Sequence, residues 1–198
     1  MGNCRVICSQ FVNVTLDPDT AHPKLVLSED RKSVRYGDTR QDRPDKPERF
    51  DTCLCVLGAE GFAGGKRYWE VEVGDKTAWD MGVCRESVRR KGKVAFTPDD
   101  YWRLTLRDGE YKALISPSTT IPVSTRPSRV GIFLDYQAGK VSFYNVTDRS
   151  HLFTFTDIFS GMLRPYFSPC NNTEGTNVAP LTICPAPAQE GGNLNKVE

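Results

Sequence analysis

Two-residue alternation of apolar and polar side chains runs through most of this chain. In RYWEVEVG, Trp69, Val71 and Val73 fall on one side and Glu70 and Glu72 on the other. In AWDMGVC, Trp79, Met81 and Val83 oppose Asp80 and Gly82. Successive side chains of a strand point to opposite faces, so each run predicts a half-buried β-strand. Gly74-Asp75-Lys76 between them is turn chemistry, and the whole stretch from Arg67 to Val88 predicts an antiparallel hairpin. YWRLTLRDGEYKALIS repeats the pattern, with Trp102, Leu104 and Leu106 inward and Arg103, Thr105 and Arg107 outward. Its Asp108-Gly109 is the preferred tight-hairpin dipeptide, because both central residues need positive φ.

Further strands follow from the same reading. KLVLSED and KSVRYGD are two short strands, FDTCLCVLG is another, and RVGIFLDYQAGKVSFYNVTD is a hairpin turning at Ala138-Gly139. HLFTFT alternates, and LRPYFSPC and VAPLTICP supply the last two strands. No segment longer than a turn or two shows helical periodicity, and the count reaches about a dozen strands. The predicted class is all-β, as a two-sheet antiparallel β-sandwich. No repeat of constant period is present, which disfavours a propeller.

With 198 residues the chain has material for one good core. Residues 1–13 read as a lead-in, forming a short helix or strand. Residues 38–48 read as an exposed, proline-punctuated loop, and residues 186–198 as a disordered tail. The 26 basic and 25 acidic residues leave a net charge of +1, without the basic excess of a nucleic-acid binder. The cluster of Arg85, Arg89, Arg90, Lys91 and Lys93 reads as a solvated turn.

No apolar run approaches the ~20 residues of a membrane helix, and no signal peptide opens the chain. An intracellular, cytoplasmic location is therefore expected, with the nucleus open and the seven cysteines as free thiols. MGNCRVIC sets Gly2 beside Cys4, but Val6 stands where a myristoylation pattern wants Ser or Thr. No membrane attachment is expected on that mismatch.

Catalytic and cofactor chemistry finds little support. GAEGFAGGK is glycine-rich, yet Lys66 leads into a strand rather than a helix, so the phosphate-loop reading fails. Cys53 and Cys55 resemble half a zinc site, but His22 and His151 are distant and no second cysteine pair exists. Cys84 has no local base and reads as a structural thiol. The expectation is a non-enzymatic protein without metal or cofactor. The Asn-x-Thr triplets at Asn13, Asn145 and Asn171 carry little weight without a secretory signal.

LDPDTAHPKLVLSEDRKSVR, PERFD, the RYWEVEVG to GVCRESV segment, RVGIFLDYQAGKVSFYNVTD, LRPYFSP and LTICP occur in one order. Together they resemble the PRY-SPRY family, nearest to the C-terminal domains of tripartite-motif and ret finger protein-like proteins. The resemblance covers residues 14–185, with a PRY part at about 14–62 and a SPRY part at about 66–185. It implies a bent sandwich with one or two short N-terminal helices. It also implies a protein-interaction module, the substrate-targeting part of a RING-type ubiquitin ligase whose RING lies outside this chain. The partner would be a protein or peptide, with oligomerisation through regions beyond these residues.

By the same resemblance the partner-binding residues are Asp80, Thr105, Arg107, Asn171 and Thr173, with the loop at 38–48 as one wall. Some relatives place aromatic side chains where Thr105 and Arg107 stand, so a smaller and more polar site is implied. The competing reading is a glycan-binding β-sandwich. Such a module needs an exposed aromatic platform, and Trp69, Trp79 and Trp102 all fall on apolar faces.

Overall fold

The structure, a computed structural model, describes residues 10–172 and 175–188. Its strands are β1 (Leu25–Leu27), β2 (Ser33–Tyr36), β3 (Val56–Leu57), β4 (Lys66–Glu72), β5 (Trp79–Arg85), β6 (Tyr101–Arg107) and β7 (Glu110–Ala113). They continue with β8 (Thr119–Ile121), β9 (Arg129–Asp135), β10 (Lys140–Asn145), β11 (Ser150–Thr156), β12 (Leu163–Ser168) and β13 (Leu181–Ile183). A seven-stranded sheet runs β1-β2-β13-β4-β9-β10-β11, and a six-stranded sheet runs β3-β12-β5-β6-β7-β8. All paired strands are antiparallel. The two sheets close over one apolar core in which Trp69, Trp79 and Trp102 are at most 2 % exposed.

Two of the expected hairpins form as read. β6 turns into β7 through Asp108 and Gly109, whose φ values of 50° and 76° are the two positive angles this tight turn requires. β9 turns into β10 through residues 136–139.

The Arg67 to Val88 stretch is different. β4 lies in the seven-stranded sheet between β13 and β9, while β5 lies in the six-stranded sheet between β12 and β6. Both alternations are real, and the turn signal correctly marks a chain reversal. The reversal, however, carries the chain across the sandwich. Trp69 and Trp79 therefore meet the same core from opposite sheets rather than side by side in one. A turn signal states that the chain turns, not which backbone the next strand will pair with.

The expected N-terminal helical segment is not found among the described residues. Residues 10–12 instead run parallel to β4. Tyr68 N donates to the Gln10 carbonyl and Val12 N to the Tyr68 carbonyl, each at 2.9 Å. β13 pairs with β4 at its far end, through Val71 and Glu72 with Cys184 N on the Glu70 carbonyl, and the lead-in takes up the Tyr68 backbone groups beyond. The rest of that lead-in, residues 1–9, lies outside the described residues, as does most of the expected tail.

Alternation also predicts a wet outer face for β5 and β6, and here the structure departs from it. A second apolar layer of Phe50, Cys55, Leu57, Cys84, Val94, Tyr101 and Tyr166 covers that face. Arg103 and Thr105, read as outward, are outward from the main core yet only 7 % and 6 % exposed. Gly82 sits in the middle of this doubly covered sheet, opposite Arg103 on β6 and Tyr166 on β12. A Cβ there would fall inside the van der Waals envelope of the Trp102 carbonyl oxygen on the neighbouring strand. Gly82→Ala is therefore expected to lower stability by about 3 kcal/mol, the upper end of overpacking costs, read from the urea midpoint. A midpoint equal to wild type would show that β5 and β6 can part without loss.

His22 supplies an acid-side prediction. It is 4 % exposed, and its Nδ1 accepts a hydrogen bond from Lys24 N at 3.0 Å. Burial, with the nearby Arg40 charge, pushes its pKa below the ordinary 6.5. The unfolded chain then binds the proton more readily than the folded one. Stability from this residue is present above pH 6.5 and is lost as pH falls toward the lowered value. Urea midpoints measured from pH 7.5 to 5 should fall more steeply for wild type than for His22→Gln. Parallel curves would remove His22 as the cause.

Candidate functional site

Register across three strands builds the site. Asp80 on β5 lies opposite Thr105 on β6 and Ser168 on β12, so the three side chains form one row on the outer face of the six-stranded sheet. Arg103 and Arg107 flank Thr105 on the same face, two residues to either side, because side chains of a strand alternate. Thr105 Oγ1 donates to Asp80 Oδ1 at 2.5 Å. Arg107 Nη2 reaches the same oxygen at 3.0 Å, and Arg103 Nη1 reaches Oδ2 at 3.3 Å. Arg107 Nη1 also donates to the Trp79 carbonyl at 3.1 Å and to Thr105 Oγ1 at 3.0 Å.

The Arg103 guanidinium is held by aromatic faces as well as by the carboxylate. Its Cζ lies 4.1 Å from the Phe96 ring centroid, 5.4 Å from that of Tyr101 and 5.6 Å from that of Tyr166. A cation over a ring face is attracted by the ring quadrupole, which offsets part of the lost hydration. Phe96 itself is 37 % exposed, an aromatic edge at the rim. Tyr166, deep in the layer, has its phenol pushed up by burial and stays protonated. Cys170, beside Ser168, is likewise raised by burial and is no thiolate at neutral pH.

Above this row opens a concavity of about 750 Å³. Asp80 and Arg107 lie on its floor with Ser168 and Tyr166. Asp108, Gly109 and Phe96 stand on one side, Cys53 and Leu54 on another, and Cys170, Asn171 and Asn177 on a third. Arg107, Asp80 and Asp108 are the charged residues of the lining, and Arg103, paired with Asp80 beneath it, brings the count to two guanidiniums and two carboxylates, so the local charge is balanced.

Asp80, Thr105, Arg107 and Asn171, taken from separate parts of the sequence, thus come together at one end of the sandwich. Thr173 lies outside the described residues. The loop at 38–48 contributes no lining residue, and Cys53 and Leu54 take the place expected for it. That loop instead packs beside the turn after β5, with Lys91 Nζ on Asp45 at 2.5 Å and on the Lys46 carbonyl at 2.6 Å. The reading missed Phe96, Tyr166 and Asn177. Tyr166 was recoverable, since alternation in LRPYFS sets it on the outer face with Ser168. Phe96 and Asn177 lie in aperiodic loops that give no such signal.

These features define a class: an antiparallel β-sandwich presenting a polar, charge-balanced recess formed by strand ends and loops, with no hydrogen-bonded nucleophile and base pair among the described residues that line it. The comparisons then give the family. The SPRY-associated domain matches residues 14–62 and the SPRY domain residues 66–182. The chain belongs to the PRY-SPRY family.

It is 60 % identical over 176 residues to Erythroid membrane-associated protein of Homo sapiens, covering 88 % of this chain and 37 % of that protein. Identity to Zinc finger protein RFP of Homo sapiens is 54 % over 183 residues, 91 % of this chain and 36 % of that protein. Identity to E3 ubiquitin-protein ligase TRIM58 of Mus musculus is 48 % over 184 residues, 92 % and 37 % of the two. The chain thus spans a little over a third of the length of these relatives. Among solved structures, the crystal structure of the TRIM65 PSpry domain superposes with a TM-score of 0.77 at 25 % identity. That match covers 93 % of this chain and 95 % of the other.

The two ends of the Asp80 network differ in exposure, and their removal should differ in cost. The side chains of Asp80 and Arg103 are 12 % and 8 % exposed, against 43 % for Arg107. Asp80→Ala strands a buried guanidinium and is expected to lose about 3 kcal/mol. Arg107→Ala removes a half-solvated partner and should lose under about 1 kcal/mol. Thermal melts of the two variants test this, and equal losses would mean that Asp80 does not hold Arg103 in place.

Proposed function

We propose that this chain is a protein-interaction module that captures a protein or peptide segment in the concavity floored by Asp80 and Arg107, with Thr105 beneath them bonded to both. The observation that carries the reading is convergence. β5, β6, the exit of β12 and the approach to β13 all deliver polar side chains to one recess of about 750 Å³. Asp80 is already bound to three groups of its own chain, so its role is to orient them. The groups a partner meets first are Arg107, the Phe96 edge and Asn171. Balanced charge favours a polar or mixed segment over a strongly acidic or basic one. Affinity for an isolated module of this size is on the order of micromolar, raised by avidity in a multimeric parent.

Two settings for the module have support. The likeness to TRIM58, named an E3 ubiquitin-protein ligase, supports a substrate-targeting role within a ligase. The higher identity to a protein named as membrane-associated supports a parent of that kind. Capture is the module's own part in both. The glycan-binding alternative loses its platform, because Trp69, Trp79 and Trp102 are all buried.

Pull-down proteomics comparing wild type with an Arg107→Ala, Asn171→Ala variant tests the site. Partners should be lost from the variant while its melting temperature stays within a few degrees of wild type, as expected for surface changes. Identical catches would place binding on another face.

A further inference from the structure

Asn177 was not among the residues the sequence offered, yet its side chain makes four hydrogen bonds at the recess. It is 9 % exposed and sits at φ 60°, in the left-handed region that asparagine tolerates better than most residues. Its Oδ1 accepts hydrogen bonds from the backbone N of Thr77 at 3.0 Å and of Ala78 at 3.1 Å. Its Nδ2 donates to the carbonyls of Pro169 and Asn171, each at 3.2 Å. All four hydrogen-bonding positions of one carboxamide are therefore used, two on the turn that feeds β5 and two on the chain leaving β12.

Lys76 reinforces the same junction. Its Nζ donates to the carbonyls of Asn177 at 3.3 Å and Ala179 at 2.9 Å. It is 2 % exposed, and burial lowers its pKa to about 8. On the other side of that turn, Arg126 Nη2 donates to the Lys76 carbonyl at 2.9 Å.

We infer that Asn177 is the positioning residue of the recess: its carboxamide ties the Asn171 wall to the turn before Asp80 and so sets the width of the opening. It touches no partner in this role. It acts through Asn171, Thr77 and Ala78, all of which line the concavity. The inference rests on the recess being the capture site, but the tie itself is a property of the free protein and can be tested without a partner.

Two substitutions divide the carboxamide into its halves. Asn177→Gly keeps the positive φ and removes both halves. Asn177→Asp keeps an acceptor for Thr77 and Ala78 but turns the donor half into an oxygen facing two carbonyls. Backbone hydrogen exchange should then split. In the glycine variant the Thr77 and Ala78 amides exchange about tenfold faster, the equivalent of losing one net hydrogen bond each. In the aspartate variant those two amides keep their protection.

Core amides such as those of Ile132 and Phe143 should hold their wild-type rates in both. Capture of the partners that depend on Arg107 should fall about tenfold in both, because each frees the Asn171 wall. Unchanged exchange at Thr77 and Ala78 in the glycine variant would overturn the inference. So would uniform acceleration across all strands, which marks a generally destabilising change. Unaltered capture by both variants, with the exchange split present, would also overturn it, since the tie would not set the opening. If no partner depends on Arg107, the reading of the recess fails instead, and the exchange split still decides whether the tie exists.

Discussion

The six-stranded sheet is covered on both faces, and most of the chemistry of this protein follows from that constraint. A sheet with one wet face can leave its polar row in water. Here the main core lies on one side of β5, β6 and β12, and the Phe50–Tyr166 layer lies on the other. Any charge in the outer row must find partners inside the protein, because an unpaired buried ion costs several kcal/mol. Asp80 with Arg103 and Arg107 is one answer, at the open end of the sheet. Arg164 is another, toward the closed end, bonded to Asp17 at 3.0 Å, Glu86 at 2.7 Å and the Gly58 carbonyl at 2.6 Å.

The same constraint welds the N-terminal third to the rest. Two family matches divide the chain near residue 64, but the physics does not. β13, the last strand, pairs with β2 on one side and β4 on the other, so β1 and β2 form one end of the same sheet as β9 and β10. Arg49 adds a clamp from the second layer, donating to the carbonyls of Pro18, Ala21 and Pro44 at 2.8 to 2.9 Å. The covering layer that buries Arg103 is therefore supplied in part by residues 50–57. The shape of the recess depends on the N-terminal part even though Cys53 and Leu54 are its only lining residues from there.

Function is left to what the double covering does not reach. Strand ends and loops at one end of the sandwich remain open, and there Arg107, Phe96 and Asn171 face outward over an internally satisfied floor. On the proposed reading, a partner would meet these few groups rather than the carboxylate, whose oxygens are already taken up by Thr105, Arg103 and Arg107.

How far the chain could be read by itself follows the range of the interactions involved. Alternation is local, so the longer strands, their inward tryptophans and the Asp108-Gly109 turn were legible, as was the grouping of Asp80, Thr105 and Arg107 by resemblance; FDTCLCVLG, read as one strand, forms only Val56–Leu57, and β8 gave no signal. Pairing is not local. Nothing in Gly74-Asp75-Lys76 states that β4 and β5 part to opposite sheets, since that depends on β9, β12 and β13 from far along the chain. Burial of Arg103 and Thr105 was hidden for the same reason, because the layer around them joins residues of four strands to Phe50, Cys55 and Val94 from segments without periodicity. The sequence determined by itself an all-β sandwich and the inner face of each strand, since backbone geometry alone sets that period. Only the tertiary structure decided which charges are shared, which are exposed, and that Asn177 ties Thr77 and Ala78 to Pro169 and Asn171, because those outcomes arise where distant segments meet.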